Sequence, residues 1–235
     1  MGINEITNKI ESAGYITVIF EPAFYDKNLF KKNELKAILE KSQVSLRGWN
    51  FPHIPIRNGE DSYAPYSIGD GIEFFTDWGN RVTEIFRFYQ SGQFLAKIAL
   101  LEDTIGEDFG SGLKKGKSLD FLRLIYEITE IVLFIKNLIE NAPIEGGKLI
   151  IELNKTKDRE LGSFFRPDLY VPWDQYFCRI DNIRAEQSFD RTQILTGSTE
   201  ISREIIKSIF NDFNWTNYSD SMIKTHQENL LNRRI

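Results

Sequence analysis

The sequence predicts an α+β fold: a mostly antiparallel sheet with a central hairpin, packed against a long buried helix and further amphipathic helices. Three observations carry this. Two runs rich in aromatic and β-branched residues, "RVTEIFRFYQ" and "QFLAKIAL", flank Ser91 and Gly92, as in a hairpin. A long apolar pattern, "SLDFLRLIYEITEIVLFIKNLIEN", starts at Ser118 and is interrupted only by one polar stripe. Strands and helices do not alternate strictly, which disfavours a doubly wound parallel sheet.

The elements follow in order. Ile3, Ile6 and Ile10 recur at helical spacing before Gly14, which predicts a short amphipathic helix stopped by glycine. "YITVIFEPAFY" reads as a strand broken at Pro22. "NELKAILEK" sets Leu35, Ile38 and Leu39 against charges, a surface helix. In the hairpin, a two-residue loop at Ser91 and Gly92 would place Ile85, Arg87, Tyr89, Phe94, Ala96 and Ile98 on one face; a one-residue bulge at Gly92 would exchange the faces on one strand. The long helix takes Ser118 as its N-cap and Asp120 in its first turn, and ends before Pro143. Its polar stripe is Asp120, Arg123, Glu127 and Glu130, and Ile125, Ile128, Val132 and Ile135 are predicted to be buried. "GGKLIIELN" and "YFCRIDNIRA" supply later strands, and "GSTEISREIIKSIFNDF" a helix starting at Ser198. No repeat or linker divides the chain, so one α+β domain is expected over 1–235, with a flexible seam at 101–117.

The totals exclude several classes. The lone Cys178 cannot form an internal disulfide, and no cationic-then-apolar leader precedes Gly14, so the expected location is cytoplasmic. The longest apolar run is "IVLFI", far short of the roughly 20 residues of a membrane span. A net charge of −5 argues against nucleic-acid binding by the isolated chain. The local exceptions are "GLKKGK" at 112–117 and "NRRI" at 232–235, which read as a solvated loop and a loose terminus.

Catalytic patterns are sparse. There is no phosphate loop, no dinucleotide fingerprint and no nucleophile elbow, and Cys178 reads as a packed thiol. Two histidines and one cysteine are too few for a structural zinc site, and no cofactor is expected. Glu60, Asp61, Asp70, Glu73 and Asp77 fall within eighteen residues and offer the ligands of a divalent-metal-dependent hydrolase or nuclease. Glu152 and Lys155 fit a nuclease strand poorly, because residues three apart point to opposite sides. Arg87, set among apolar hairpin neighbours, requires a carboxylate, a carbonyl or a ligand anion.

The densest cluster is "SLRGWNFPHI", Ser45 to Ile54. Val44 and Leu46, then Trp49 and Phe51, suggest a strand that flips its alternation at Gly48, and Pro52 ends the pairing. His53 then stands where a strand meets a long irregular segment, a common position for binding residues. Arg47, Trp49 and His53 form a candidate clamp for a flat or anionic ligand. The plainer alternative puts Trp49 and Phe51 in the core with His53 capping a backbone group. "LRGWNFPHI" and "FRFYQSGQF" resemble a poorly characterised bacterial domain found beside AlbA-type, Schlafen-like DNA-binding modules. The resemblance implies a sensory or accessory role in bacterial transcription control or phage defence, with no known reaction. The resulting expectation is a non-catalytic module that binds a small ligand or protein partner through Arg47, Trp49, His53 and Arg87, does not engage a membrane, and can self-associate. The alternatives are the metal-dependent enzyme and a structural subunit of a larger complex.

Overall fold

The structure is a computed structural model that describes residues 2–79, 81–105, 113–165 and 174–234. The chain opens with helix α1 (Ile3–Ser12) and strand β1 (Tyr15–Pro22), then α2 (Leu35–Ser42) and two short strands, β2 (Val44–Ser45) and β3 (Asn50–Phe51). A meander follows: β4 (Ser62–Ile68), β5 (Gly71–Asp77), β6 (Thr83–Tyr89) and β7 (Phe94–Ala99). After α3 (Leu101–Thr104) and β8 (Ser118–Asp120) come α4 (Phe121–Glu140), β9 (Gly146–Asn154), β10 (Glu160–Gly162), β11 (Tyr176–Phe177), β12 (Asn182–Asp190), α5 (Arg191–Asp212) and α6 (Asp220–Leu231).

The predicted α+β architecture is present. Seven strands form a sheet in the order β12-β9-β1-β7-β6-β5-β4, with every neighbouring pair antiparallel. The β6–β7 hairpin lies in its interior, and α4 packs on one face, where the Phe94 and Phe134 rings approach to 4.7 Å. Ile125, Ile128, Val132 and Ile135 are fully buried, as their spacing predicts. On the opposite face, Ile6 and Ile10 of α1 pack on Phe75, Ile85 and Ala99.

Several local expectations are corrected. The hairpin loop holds three residues, Gln90 to Gly92, because Tyr89 N–H donates to Gln93 O and Gly92 takes φ +83°. Phe88 therefore faces Phe94, and Arg87 faces Leu95. This is the one-residue shift that exchanges faces, so Phe86, Phe88, Phe94 and Ala96 point to α4 while Ile85, Arg87 and Lys97 point to the α1 side. Ser118 is a strand residue, and the α4 N-cap is Asp120, whose carboxylate accepts from Arg123 N–H at 2.8 Å. α5 begins earlier, at Arg191 after the Asp190 cap; Gly197, with φ −128° and ψ 27°, kinks it one residue before the predicted start at Ser198. The predicted strand over "YFCRIDNIRA" divides into β11 and β12, with Cys178 buried in the break. The supposed strand through Gly48 is instead a small hairpin, in which Val44 faces Phe51 and Gly48 takes φ +75° in the loop.

The segment read as irregular after His53 contains β4, the edge strand, which carries Pro65 and a register shift between Tyr63 and Tyr66. At the other edge, Arg184 and Glu186 of β12 point outward and pair. Of the seam expected at 101–117, residues 106–112 lie outside the described residues; Glu102 and Asp103 just before them are buried.

With Ile128 enclosed on all sides, Ile128→Ala is expected to lower stability by about 2 to 5 kcal/mol through cavity formation, read from urea unfolding midpoints. A loss below about 1 kcal/mol would place α4 outside the core.

Candidate functional site

Four side chains from three segments converge at one end of the sheet. Trp49 and His53, on either side of β3, stack with ring centroids 4.1 Å apart and planes 21° apart. Trp78, in the turn after β5, meets Trp49 edge-on at 4.5 Å, an arrangement favoured by ring quadrupoles. Beneath them the Trp49 indole N–H donates to Glu84 of β6 at 3.3 Å. Trp49 thus joins a surface feature to an interior one.

The surface feature is an open groove of about 530 Å³ beside β3 and the start of β4. Its wall is His53, Ile54 and Trp78; Gln43 and Asn50 contribute amides, the Gln43 Nε2 already donating to Pro52 O at 2.7 Å, and Glu40 and Arg57 give one charge of each sign. Ile56 is 93% exposed and Trp78 49% exposed, and both line this groove; apolar groups gathered in one place, unlike singly scattered ones, mark contact surfaces. Burial lowers the His53 pKa from its usual value, which favours the neutral imidazole near neutral pH.

The interior feature is the polar stripe of α4, which faces inward rather than to water. Glu127, Glu130 and Asp120 are buried, together with Glu84 and Glu102. Arg47 donates through Nε to Glu130 at 2.8 Å, and its Nη2 lies 2.6 Å from the same oxygen. Among the described residues, the other oxygen of Glu130 is within geometric hydrogen-bond reach of no partner. Arg123 bridges Glu102 at 2.7 Å and Glu127 at 3.2 Å. Burial pushes the Glu84 pKa well above the usual glutamate range, with Glu127 adding to the rise and the Trp49 bond and Arg47 opposing it. Burial also raises Glu130 and Glu102 despite their arginine partners. Glu84, Glu102 and Glu130 thus have raised pKa values although two guanidinium groups share their seam, because burial outweighs the pairing.

The predicted clamp is therefore divided. Trp49 and His53 come together, with Trp78 as a partner that the sequence reading missed; Trp78 lies 25 or more residues downstream, and only the β5 strand brings it back. Arg47 is spent on Glu130. Arg87 stands apart on the α1 face, paired with Glu73 directly across β5, and its side chain is 43% exposed. It is a half-exposed cross-strand ion pair and not the buried charge the simple hairpin register implied.

The acidic segment is not a cluster. Glu73 is taken by Arg87, and Asp77 accepts from Lys9 and Thr83. Among the described residues, no group of three or more His, Cys, Asp or Glu side chains is placed to hold a metal ion. Glu152 pairs with Arg184, and Lys155 lies past the strand end at φ +59°. Comparison with protein-family models, with curated proteins and with solved structures found no match.

Two measurements test the interior. Arg47→Ala leaves Glu130 buried without its cation and is expected to cost about 3 kcal/mol, while Arg87→Ala at a half-exposed pair costs about 1 kcal/mol or less; the reverse order in urea unfolding would contradict this placement. For an acid whose folded pKa lies above its unfolded value, stability is greatest below the unfolded value and falls as pH rises toward the folded one. Glu84→Gln keeps an acceptor for Trp49 and removes the charge. It is expected to stabilise the protein at about pH 7.5 and to change little at about pH 4, and equal shifts at both would show that Glu84 is not the titrating group.

Proposed function

We propose that the chain is a non-catalytic binding module, regulatory or accessory in bacterial transcription control or phage defence, whose groove takes a segment of a protein partner or a small ligand with an aromatic or apolar group. The supporting observation is the half-exposed Trp78 set edge-on against the stacked Trp49–His53 pair in a groove that the solvent-facing Ile56 also lines. Aromatic residues held rigid by packing behind and exposed in front are the usual anchors of binding surfaces. Amides, one acid and one base around an apolar wall suit a short extended peptide better than a multiply charged ligand. Trp49 holds the wall in place from behind, through Glu84, so it positions the site and is not the main contact.

Selection from a random-sequence peptide library on the intact protein tests this reading. Enriched peptides should bind with quenching or a shift of tryptophan emission, and Trp78→Ala or Ile56→Asp should weaken them at least about tenfold, the range of a modest hot spot, with the melting temperature within a few degrees of the parent. Peptides that bind both variants as well as the parent, or no enrichment at all, would reject the groove as the site.

A further inference from the structure

Beside the start of β1, at a cleft that shares no lining residue with the Trp49 groove, two lysine-bearing loops meet that lie far apart in the sequence. One is the "KKGK" stretch at Lys114 to Lys117; the other is "KTKDR" at Lys155 to Arg159. Between them is a cleft of about 450 Å³, lined among others by Lys115, Lys155, Lys157 and Arg159. We infer that this cleft is a binding site for a phosphate-bearing small molecule.

The cleft has a built floor. Arg159 is 1% exposed and forms a two-pronged ion pair with the buried Asp103, while its Nε donates to Lys155 O at 2.7 Å and its Nη1 to Ser118 O at 3.0 Å. Asp103 in turn accepts from Gly14 N–H at 2.6 Å and Gly116 N–H at 2.8 Å. One guanidinium and one carboxylate thus hold the end of α1 and both lysine loops in fixed relation. The approach is so close that a Cβ on Gly14 would lie 2.3 Å from Arg159 Nη2. Gly116 at φ +70°, and Lys155 and Asp158 at φ +59° and +62°, turn the loops tightly; the left-handed conformation is uncommon for residues with a Cβ and clusters at functional sites.

The charges left over are positive. Asp103 and Arg159 neutralise one another, and Lys155 Nζ donates to Ser12 O at 3.1 Å. Lys117 lies 3.8 Å from Asp158. Asp181 also lines the cleft, and is the remaining acid there. Lys115 and Lys157 are exposed and, among the described residues, form no ion pair. In a chain with net charge −5, this local surplus of ammonium groups is the reverse of the average. Lysines act as mobile point charges well suited to phosphate oxygens, and the volume is in the range of small-ligand sites, roughly 300–1,000 Å³. A nucleic acid would instead need a basic stripe running along the surface, and here the lysines converge on one hollow.

Titration calorimetry of the full chain with inorganic phosphate, pyrophosphate and ADP tests the inference, beside fluorescence anisotropy with a DNA oligonucleotide. Pyrophosphate or ADP should saturate a single site. The double variant Lys115→Gln, Lys157→Gln should weaken it at least about tenfold, the effect of losing two charge-assisted contacts, while Lys36→Gln, Lys224→Gln, at exposed lysines elsewhere, should not. Circular dichroism melts check that both variants fold. Absence of saturable binding, equal weakening in the two double variants, retention of binding without Lys115 and Lys157, or binding of DNA alone would each overturn it.

Discussion

Gly92 sets which side of the central hairpin becomes the inside. Its positive φ closes a three-residue loop, and the register that follows turns Phe86, Phe88 and Phe94 toward α4. Alternation then carries Glu84, two residues before Phe86, to the same face. A carboxyl group is thereby committed to the interior by a turn eight residues away. A Cβ at Gly92 would come within 3.2 Å of Ile144, Leu29 and Pro22, so the loop is also packed from outside, and the β-sheet and α4 side share one constraint.

Once Glu84 is inside, the rest of the polar seam is its accommodation. The indole N–H of Trp49 reaches it, Arg47 enters beside it to meet Glu130, and the α4 stripe faces the seam. A buried ionic stripe contributes little net stability, because desolvation offsets most of the attraction. Its effect is angular: rotating α4 about its axis would strand Arg123 and Glu130 against hydrocarbon, so the helix has one acceptable orientation. That orientation places Phe134 against Phe51 and Phe94, and hence positions the β3 turn from which Trp49 and His53 project. The groove inherits its rigidity from this chain of contacts.

The elements with strong periodicity were legible from residues alone: α1 from its isoleucines, β1 from its β-branched run, α4 from its length. The strands β4 and β5 were not, because Pro65 and a register shift interrupt one, and the polar residues around "IGDG" read as loop. The α4 stripe was legible as a stripe but not as an inward one, since a row of charges on a helix ordinarily marks the solvated side, and only the opposite wall of Arg47, Glu84 and Trp49 reverses this. Likewise Trp49 and His53 were found because they adjoin in sequence, while Trp78 and the pairing of the two lysine loops depend on contacts across long separations that local pattern does not encode. Arg87 was misplaced by a single residue of register.

Among the described residues, β12 and β4 are the two edges of the seven-stranded sheet, and each is made unsuitable for pairing with another copy. Pro65 removes a donor from β4 and the shift beside it bends the strand out of line, while β12 presents Arg184 and Glu186. Unpaired edges of this length are the usual nuclei of fibrillar aggregates, and an edge proline and charged side chains are the common safeguards against them. Exposed apolar groups such as Ile56 and Trp78 therefore lie near an edge strand that offers no flat template on which further chains would stack.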